Sequence, residues 1–340
     1  MTWLTWRQFR AQTLTAAAVL AALAIVLAAT GPNLAHLFDV YVAGCRGTGA
    51  CQAATSAFAS HAAVDMGLFL AMVVLLYSAP ALIGIFWGAP LIAREIDAGT
   101  FRLAWSQSVT RRRWLAIKLG LVGLAAMATA GLLSLMVGLW SAPIYATALR
   151  ASASRLDISK IGPALFGTNG IAPVGYAAFA FTVGVTAGVL IRRTLPAMAV
   201  SLGVFALVQV GWANWIRPHL ITPLRQALPF NFADPQMVSI GINGQVTLAG
   251  GFSKPGAWIL SDQVITPAGH IFTGPASRQC LNGSFQACSN WLASLHLRTV
   301  ITYQPPGRFW AFQWYETGIF LALALALAGF CYWRVRRLAP

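Results

Sequence analysis

Long apolar runs separated by polar segments set the pattern of this chain. A helix needs about 20 apolar residues to cross the hydrocarbon core of a bilayer, and six runs reach or approach that length. The pattern predicts membrane spans at residues 14–30, 64–90, 114–140, 171–191, 195–216 and 317–333. A cleaved signal peptide is the alternative for the first run, because two Arg precede it and two Ala end it. The length of the run and the spans that follow it favour a membrane helix.

The polar segments between the spans differ in length and content. Residues 31–61, 143–170 and 217–310 are the long ones, and a short helix is expected around residues 148–161. In the longest segment, Asn243-Gly244 lies between two short β-prone runs, which is a signal of a two-residue hairpin turn. Pro267-Ala268-Gly269 divides a second such pair. We therefore expect a small, partly β insertion before the last span.

These elements predict an all-α polytopic membrane protein with six transmembrane helices and a small, partly β extracytoplasmic insertion before the last span. Three parts are predicted. Residues 1–216 form an N-terminal interfacial segment and helices one to five, with a coupling loop at 91–113. Residues 217–310 form the insertion, and residues 311–340 form the sixth helix with a basic tail. Gly84 and Gly88 in the second span, and Gly184 and Gly188 in the fourth, have the spacing that permits close helix packing.

Composition excludes a soluble enzyme. Charged residues make up 9% of the chain and hydrophobic residues 58%, whereas a soluble domain has about 25% charged residues. The net charge of +15 raises nucleic acid as an alternative partner, but the basic residues lie at the ends of apolar runs and no nucleic-acid-binding module is recognised. They are expected to set the topology beside anionic lipid headgroups.

Basic residues and cysteines predict the same orientation. More than half of the 23 Lys and Arg fall in the short segments on the side of the two termini, at a higher density than in the long loops. The positive-inside rule then places both termini in the cytoplasm and the chain, as a multi-pass protein, in the plasma (cell inner) membrane. Cys45, Cys51, Cys280 and Cys288 fall in the opposite loops, where disulfides between them can persist.

The sequence offers no residues for bond chemistry. A Walker A loop needs Gly-Lys before Ser or Thr, and none of the three Lys residues follows a glycine. His61 and Asp65 are four apart, but two residues do not make a metal site. Asp65 and Glu316 fall at the outer ends of predicted spans, whereas a proton-driven carrier would place an acid deeper in the bilayer. We therefore expect no enzyme activity and no metal or cofactor in this chain.

Aromatic residues crowd the segment just before the sixth span, namely Phe309, Trp310, Phe312 and Trp314. An interfacial belt is the simpler interpretation, because aromatic rings favour the headgroup layer. The alternative is a lining for an apolar substrate near the outer leaflet.

The densest group of charges lies between spans two and three. Residues 92–118 hold two of the eight acids and six of the 23 bases. This density favours a docking surface for another protein, and a solvated loop that only sets topology is the alternative. Glu95 and Asp97 are expected in the first turn of a short helix, where acids complement the helix dipole. The residues expected at the docking surface are Arg94, Glu95, Asp97, Gly99, Thr100, Arg102 and Arg111.

This loop resembles the cytoplasmic coupling segment of ABC exporter permeases of the type-2 class. The shared features are Arg94-Glu95, Gly99-Thr100, the basic turn at Thr110-Arg111, Trp114 and Lys118. The proline that often precedes the basic turn in that family is absent, and Ser106-Gln107-Ser108-Val109 stands there instead.

The resemblance implies a partner and a function. The partner is a separate ATP-binding cassette subunit that docks on the loop and binds ATP and magnesium, and a second permease chain completes the transporter. The implied function is the permease subunit of an ATP-driven exporter, and aromatic spans with few charges favour an amphiphilic or apolar substrate. A membrane-anchored sensor or scaffold with a ligand-binding insertion, and a secondary transporter, are the alternatives. Abundant Ala and Arg with little Lys indicate a GC-rich bacterial genome, such as an actinobacterial one.

Overall fold

The structure is a computed structural model that describes residues 2–97, 111–150, 159–230, 238–240, 246–248, 254–274, 280 and 285–336. Within these residues the chain is mostly helical, with a small sheet before the last helix. The α-helices are α1 (Thr2–Tyr41), α2 (Thr48–His61), α3 (Ala63–Ile83), α4 (Ala89–Asp97), α5 (Arg111–Trp140), α6 (Ala142–Arg150), α7 (Ala172–Ile191), α8 (Thr194–Gly211), α9 (Phe285–Ser294) and α10 (Phe309–Arg336). The strands are β1 (Leu224–Pro229), β2 (Val238–Ile240), β3 (Val246–Leu248), β4 (Trp258–Ile265) and β5 (Arg298–Gln304).

Six helical stretches in the described residues are long and apolar enough to cross a membrane. They are Phe9–Tyr41, Ala63–Arg94, Arg113–Trp140, Ala172–Ile191, Thr194–His219 and Pro306–Val335. Each overlaps a predicted span, so the predicted fold class of a six-span membrane protein with a small insertion is confirmed.

The first and the last span are much longer than predicted. The first continues through Gly31 and Pro32 to Tyr41, where the sequence pattern assigns a loop. The last begins at Phe309, because its polar residues Gln313 and Glu316 are fully buried and bonded inside the bundle rather than solvated.

Helix α7 lies at the centre of the bundle. Its side chains are apolar around the whole circumference and nearly all are buried, which is expected for a helix enclosed by other helices. It contacts α3, α4, α5, α8 and α10. Helix α1 differs, since most of its apolar side chains are exposed, as Leu14 and Ile25 illustrate. The outer helices therefore present apolar faces to lipid or to another membrane protein.

A three-stranded antiparallel sheet with the order β1–β5–β4 forms the centre of the insertion. Leu224 pairs with Tyr303 across β1 and β5, and Trp258 pairs with Gln304 across β4 and β5. Strands β2 and β3 pair separately, so the two runs that flank Asn243-Gly244 pair with each other as predicted. Ile240 lies opposite Val246, whereas a two-residue turn at 243–244 would place it opposite Thr247, so the register differs by one residue from the predicted hairpin. Residues 241–245 lie outside the described residues. After β4 the chain turns back at Gly269, whose φ of 85° suits glycine, so that Phe272 N–H donates to the Val264 carbonyl at 2.8 Å.

Two further helices lie at the same end of the bundle as the sheet, which we call the insertion end. Helix α2 forms in the segment predicted to be a loop, and helix α6 begins at Ala142, upstream of the short helix expected at 148–161. Pro143 occupies the first turn of α6, where a missing N–H is tolerated. Residues 151–158 lie outside the described part, and between Ser159 and α7 the chain forms turns and a short 3-10 helix, Phe166–Thr168.

Both predicted cysteine pairs are close enough to bond in the structure. Cys45 and Cys51 form a disulfide with Cα atoms 5.1 Å apart, just before and inside the first turn of α2. Cys280 and Cys288 form a second disulfide with Cα atoms 4.3 Å apart, and Cys288 belongs to the apolar cluster under the sheet. The remaining cysteine, Cys331, is buried in α10.

Candidate functional site

The second span meets the central helix with backbone directly against backbone. A Cβ added to Gly184 of α7 would lie 2.2 Å from the carbonyl oxygen of Gly84, and one added to Gly88 would lie 2.4 Å from that of Phe181. Only glycine fits such an approach. The contact lies on a π-helical turn, Gly84–Gly88, between α3 and α4, and such turns are frequent at functional sites. The predicted glycine pairs thus lie in one helix crossing.

The two flanks of the predicted coupling loop converge on one apolar cluster. Ile92 near the end of α4 and Trp114 and Leu115 in the first turns of α5 are buried together with Trp87. The ring of Phe9 on α1 stands edge-on to Trp87, with the ring centroids 4.9 Å apart. The helices on either side of residues 98–110 therefore both pack against α7 and share one apolar cluster, at the end of the bundle that we call the coupling end.

The predicted docking residues lie at or between these flanks. Arg94 is exposed on α4, and Arg111 is the first residue of α5. Glu95 and Asp97 fall in the last turn of α4, so the prediction that they occupy the first turn of a short helix is wrong. The reason is that α4 continues the second span through the π-helical turn and begins at Ala89. Gly99, Thr100 and Arg102 lie outside the described residues.

The side chain of Lys118 is buried near the start of α5. Its side chain is only 4% exposed, and its Nζ lies 4.7 Å from the centre of the Trp114 ring, one turn earlier on the same helix. A cation over an aromatic face is electrostatically favourable. The lysine of the motif that resembles the type-2 permeases is thus packed near the start of α5.

A buried ion pair lies at the insertion end. Arg217, which follows the π-helical turn after α8, and Glu316, in the second turn of α10, are both fully buried. Arg217 Nε donates to Glu316 Oε2 at 2.9 Å and Nη2 donates to Oε1 at 2.8 Å, which is a bidentate pair. Paired hydrogen bonds of this kind are the strongest between protein side chains.

Two aromatic side chains contact this ion pair. The Tyr176 hydroxyl of α7 donates to Glu316 Oε1 and accepts from Arg217 Nη2 at 3.2 Å. The guanidinium carbon lies 4.4 Å from the centre of the Phe166 ring. Within the described residues, Arg217 Nη1 has no hydrogen-bond partner. The ion pair therefore ties α7, α8 and α10 together without contact with solvent.

A second polar network lies next to the ion pair and supports the start of α7. Gln313 Oε1 accepts from the N–H groups of Ile171 at 2.9 Å and Ala172 at 2.7 Å, and its Nε2 donates to the Asn169 carbonyl at 2.9 Å. The side chain of Asn169 donates in turn to the Tyr145 hydroxyl at 2.7 Å. Burial raises the pKa of Tyr145 to about 12, so this hydroxyl stays protonated. Gln313 thus satisfies backbone N–H groups that a helix start leaves free.

The sequence reasoning missed both networks because it treated Arg217 and Glu316 as charges at membrane edges. The available signal was an Arg at the end of span five and a Glu near the start of span six. Opposite charges at the same end of two consecutive spans are candidates for a buried pair.

The aromatic segment divides between core and surface. Phe312 is fully buried against Phe166, and Phe309 packs on the same ring with centroids 5.8 Å apart. Trp310 and Trp314 are 57% and 68% exposed on the outer face of α10. Only part of the segment can therefore face lipid or a substrate in this conformation.

Groups of three or more metal-ligating side chains are not found in the part of the chain that the structure describes. His61 stacks on the ring of Tyr41, with centroids 4.9 Å apart, and Asp65 is buried in the first turn of α3.

Comparison with known proteins identifies a relationship for the larger part of the chain. Residues 17–217 match the model of a family described as ABC-2 membrane transporter related. This match runs from the first span to the end of the fifth. No curated protein and no solved structure matches the chain.

Proposed function

The chain belongs to the ABC-2 membrane transporter related family, a group of transporter permeases, and we propose that it is the membrane subunit of an ATP-driven exporter. Its substrate is amphiphilic or apolar, and it acts as one of two permease chains, identical or different. The two chains move the substrate across the plasma membrane by alternating access or lateral extrusion.

The observation that carries this proposal is that the two helix ends flanking the coupling loop belong to one buried apolar cluster. Residues 98–110 connect two helices whose ends are buried in one cluster, and the first of these helices touches α7 backbone to backbone. A subunit that pushes on the loop would act on α4 and α5, and each of these helices contacts α7. Because rigid backbone lies at the crossing with α7, little of that movement would be absorbed by side chains.

The energy source in this proposal is a separate ATP-binding cassette subunit. That partner docks on Arg94, Glu95, Asp97, Gly99, Thr100, Arg102 and Arg111, and it holds the ATP and magnesium, because this sequence contains no Walker A motif. Docking on this loop requires it to lie in the cytoplasm, together with both termini.

Co-purification from native membranes tests the proposal. The tagged wild-type chain should bring down a Walker-A-containing ATPase, and Glu95→Ala/Arg102→Ala should reduce its recovery about tenfold or more, as expected when central interface charges are removed. Arg193→Ala is the matched control, because Arg193 is an exposed base in the turn between α7 and α8. This control should retain the partner at the wild-type level.

Other outcomes would favour the alternatives. If no ATPase is recovered under mild detergent, or if the double variant binds it as well as wild type, residues 91–113 only set topology, and a sensor with a ligand-binding insertion becomes the better hypothesis. Transport that follows a proton gradient without nucleotide would indicate a secondary carrier.

A further inference from the structure

A small cavity lies at the insertion end between α6, the turn after Ser159, the loop before β4 and the start of α10. Its volume is about 260 Å³, and its walls include Tyr145, Leu149, Ile161, Phe309 and Trp310. Ligand sites for drug-sized molecules begin at about 300 Å³. The cavity therefore suits one part of a longer molecule, such as the first stretch of an acyl chain.

The walls of this cavity are fixed to one another. Ser159 Oγ donates to the Gly256 carbonyl at 2.8 Å, which joins the turn to the loop before β4. Gly256 has a φ of 72°, and a Cβ there would lie 2.6 Å from Leu149 Cδ2. Phe309 is held against Phe166 at the base of α10. The cavity is thus part of the folded structure at a point where four chain segments meet.

Lys160 supplies the only cation among the described residues of the cavity wall. It is half-buried, and its Nζ lies 4.5 Å from the centre of the Tyr145 ring. In the part of the chain that the structure describes, no carboxylate pairs with it. Burial lowers the pKa of Lys160, and an anion beside its ammonium group would offset this cost of desolvation by electrostatic attraction.

The position of the cavity relative to the bilayer follows from exposed tryptophans. Trp215, Trp310 and Trp314 are exposed at the insertion end of α8 and α10, and tryptophan is enriched at the level of lipid headgroups. Trp310 forms part of the cavity wall, so the cavity lies at that level. Leu149, which is 54% exposed, lines it as well.

We propose that this cavity, the Lys160 pocket, binds an anionic membrane lipid from the adjacent leaflet, with the headgroup phosphate on Lys160 Nζ and the start of an acyl chain against Ile161 and Phe309. One cation at the headgroup level above an apolar cleft matches the order of groups in such a lipid. Lipid binding at this site requires neither nucleotide nor a partner subunit. The lipid proposal can therefore be tested separately from the exporter proposal.

Lipid retention by the purified full-length chain tests this site. The protein is reconstituted in nanodiscs of equal parts phosphatidylglycerol and phosphatidylcholine, re-extracted gently, and its bound lipids are quantified by mass spectrometry. Wild type and Lys160→Arg should retain phosphatidylglycerol about fivefold over phosphatidylcholine, the preference expected from one interfacial cation. Lys160→Gln and Lys160→Met should lower this preference severalfold, to the background set by the other basic residues beside the lipid headgroups.

Lys254→Gln is the matched control. Lys254 is also a lysine of the insertion end, and its Nζ lies 4.6 Å from the centre of the Tyr303 ring and donates to the Tyr303 hydroxyl at 2.9 Å. It does not line the pocket, so its removal should leave the preference unchanged. The proposal is overturned if wild type shows no preference for phosphatidylglycerol, or if Lys254→Gln lowers that preference as much as Lys160→Gln does. It is also overturned if glycerol phosphate, which has no acyl chains, displaces the bound lipid.

Discussion

At the scale of single residues, the most consequential contact is the buried pair of Arg217 and Glu316. Removing two charges from water is costly, and the mutual attraction offsets this only when the geometry is good and other donors are satisfied. Here the pair is bidentate and Tyr176 adds one hydrogen bond to each partner, while Arg217 Nη1 has no partner among the described residues. The pair joins the end of span five to the start of span six, on either side of the insertion.

Removing one partner of the ion pair should destabilise the bundle far more than replacing both partners with apolar residues. We expect Glu316→Leu alone to cost about 3–5 kcal/mol, because it leaves an uncompensated buried guanidinium. Arg217→Met/Glu316→Leu should recover most of that loss. The measurement is a double-mutant cycle by thermal unfolding in detergent, with exposed Arg225→Met as the control. Equal stability of the single and double variants would contradict the argument.

At the scale of elements, the crossing between the second span and α7 decides how the coupling end is connected to the centre of the molecule. Glycines on both helices allow contact between main-chain atoms, which cannot move aside as flexible side chains can. The π-helical turn Gly84–Gly88 brings the main chain to this contact and leads directly into α4. A displacement of α4 is therefore expected to displace α7.

A single methyl group at this crossing should separate the helices. Gly184→Ala would place its Cβ against Gly84 and Ala89 backbone atoms, and we expect a loss of about 1–3 kcal/mol from overpacking. Gly120→Ala in α5 is the control, since no atom lies within 4 Å of the added Cβ, and it should be neutral or slightly stabilising. Thermal unfolding of the two variants in the same detergent gives the comparison, and a neutral Gly184→Ala would show that the helices can separate freely.

At the scale of the whole molecule, the six spans and the apolar outer surface make this a multi-pass membrane protein of the transporter family to which it belongs. Helices α1 and α8 bury the fewest residues among the spans, so their exposed apolar faces are available to lipid or to a second permease chain. The sheet and the disulfides lie at the insertion end, and Ile92 and Trp114, which flank the predicted coupling loop, lie at the other.

The orientation of the molecule can be measured with reporter fusions. Because basic residues are dense in the short segments beside both termini, green fluorescent protein fused after residue 340 should fluoresce, and alkaline phosphatase there should be inactive. Fusions truncated after residue 265, within the insertion, should give the opposite result. Fluorescence at both positions would contradict the predicted topology and the cytoplasmic coupling loop with it.

Features that depend on local pattern could be predicted from the amino-acid sequence alone. Six apolar runs of membrane-spanning length, two hairpin signals and the glycine pairs were sufficient to predict the fold class, because spans and tight turns are set by neighbouring residues. The coupling residues and the proposed partner came from a short charged motif, and Gly99, Thr100 and Arg102 lie outside the described residues, so their roles stay predictions.

The partners of buried polar residues and the ends of helices depend on contacts in the folded chain. The predicted sixth span begins at residue 317, which leaves Gln313 before it and Glu316 at its outer end. In the structure both lie inside the helix, because Ile171, Ala172 and Arg217 provide partners from distant parts of the chain. The same holds for Lys160, whose cavity is assembled from four separate segments. Contacts between residues far apart in the sequence set the energy of each buried polar group, and no local pattern contains that information.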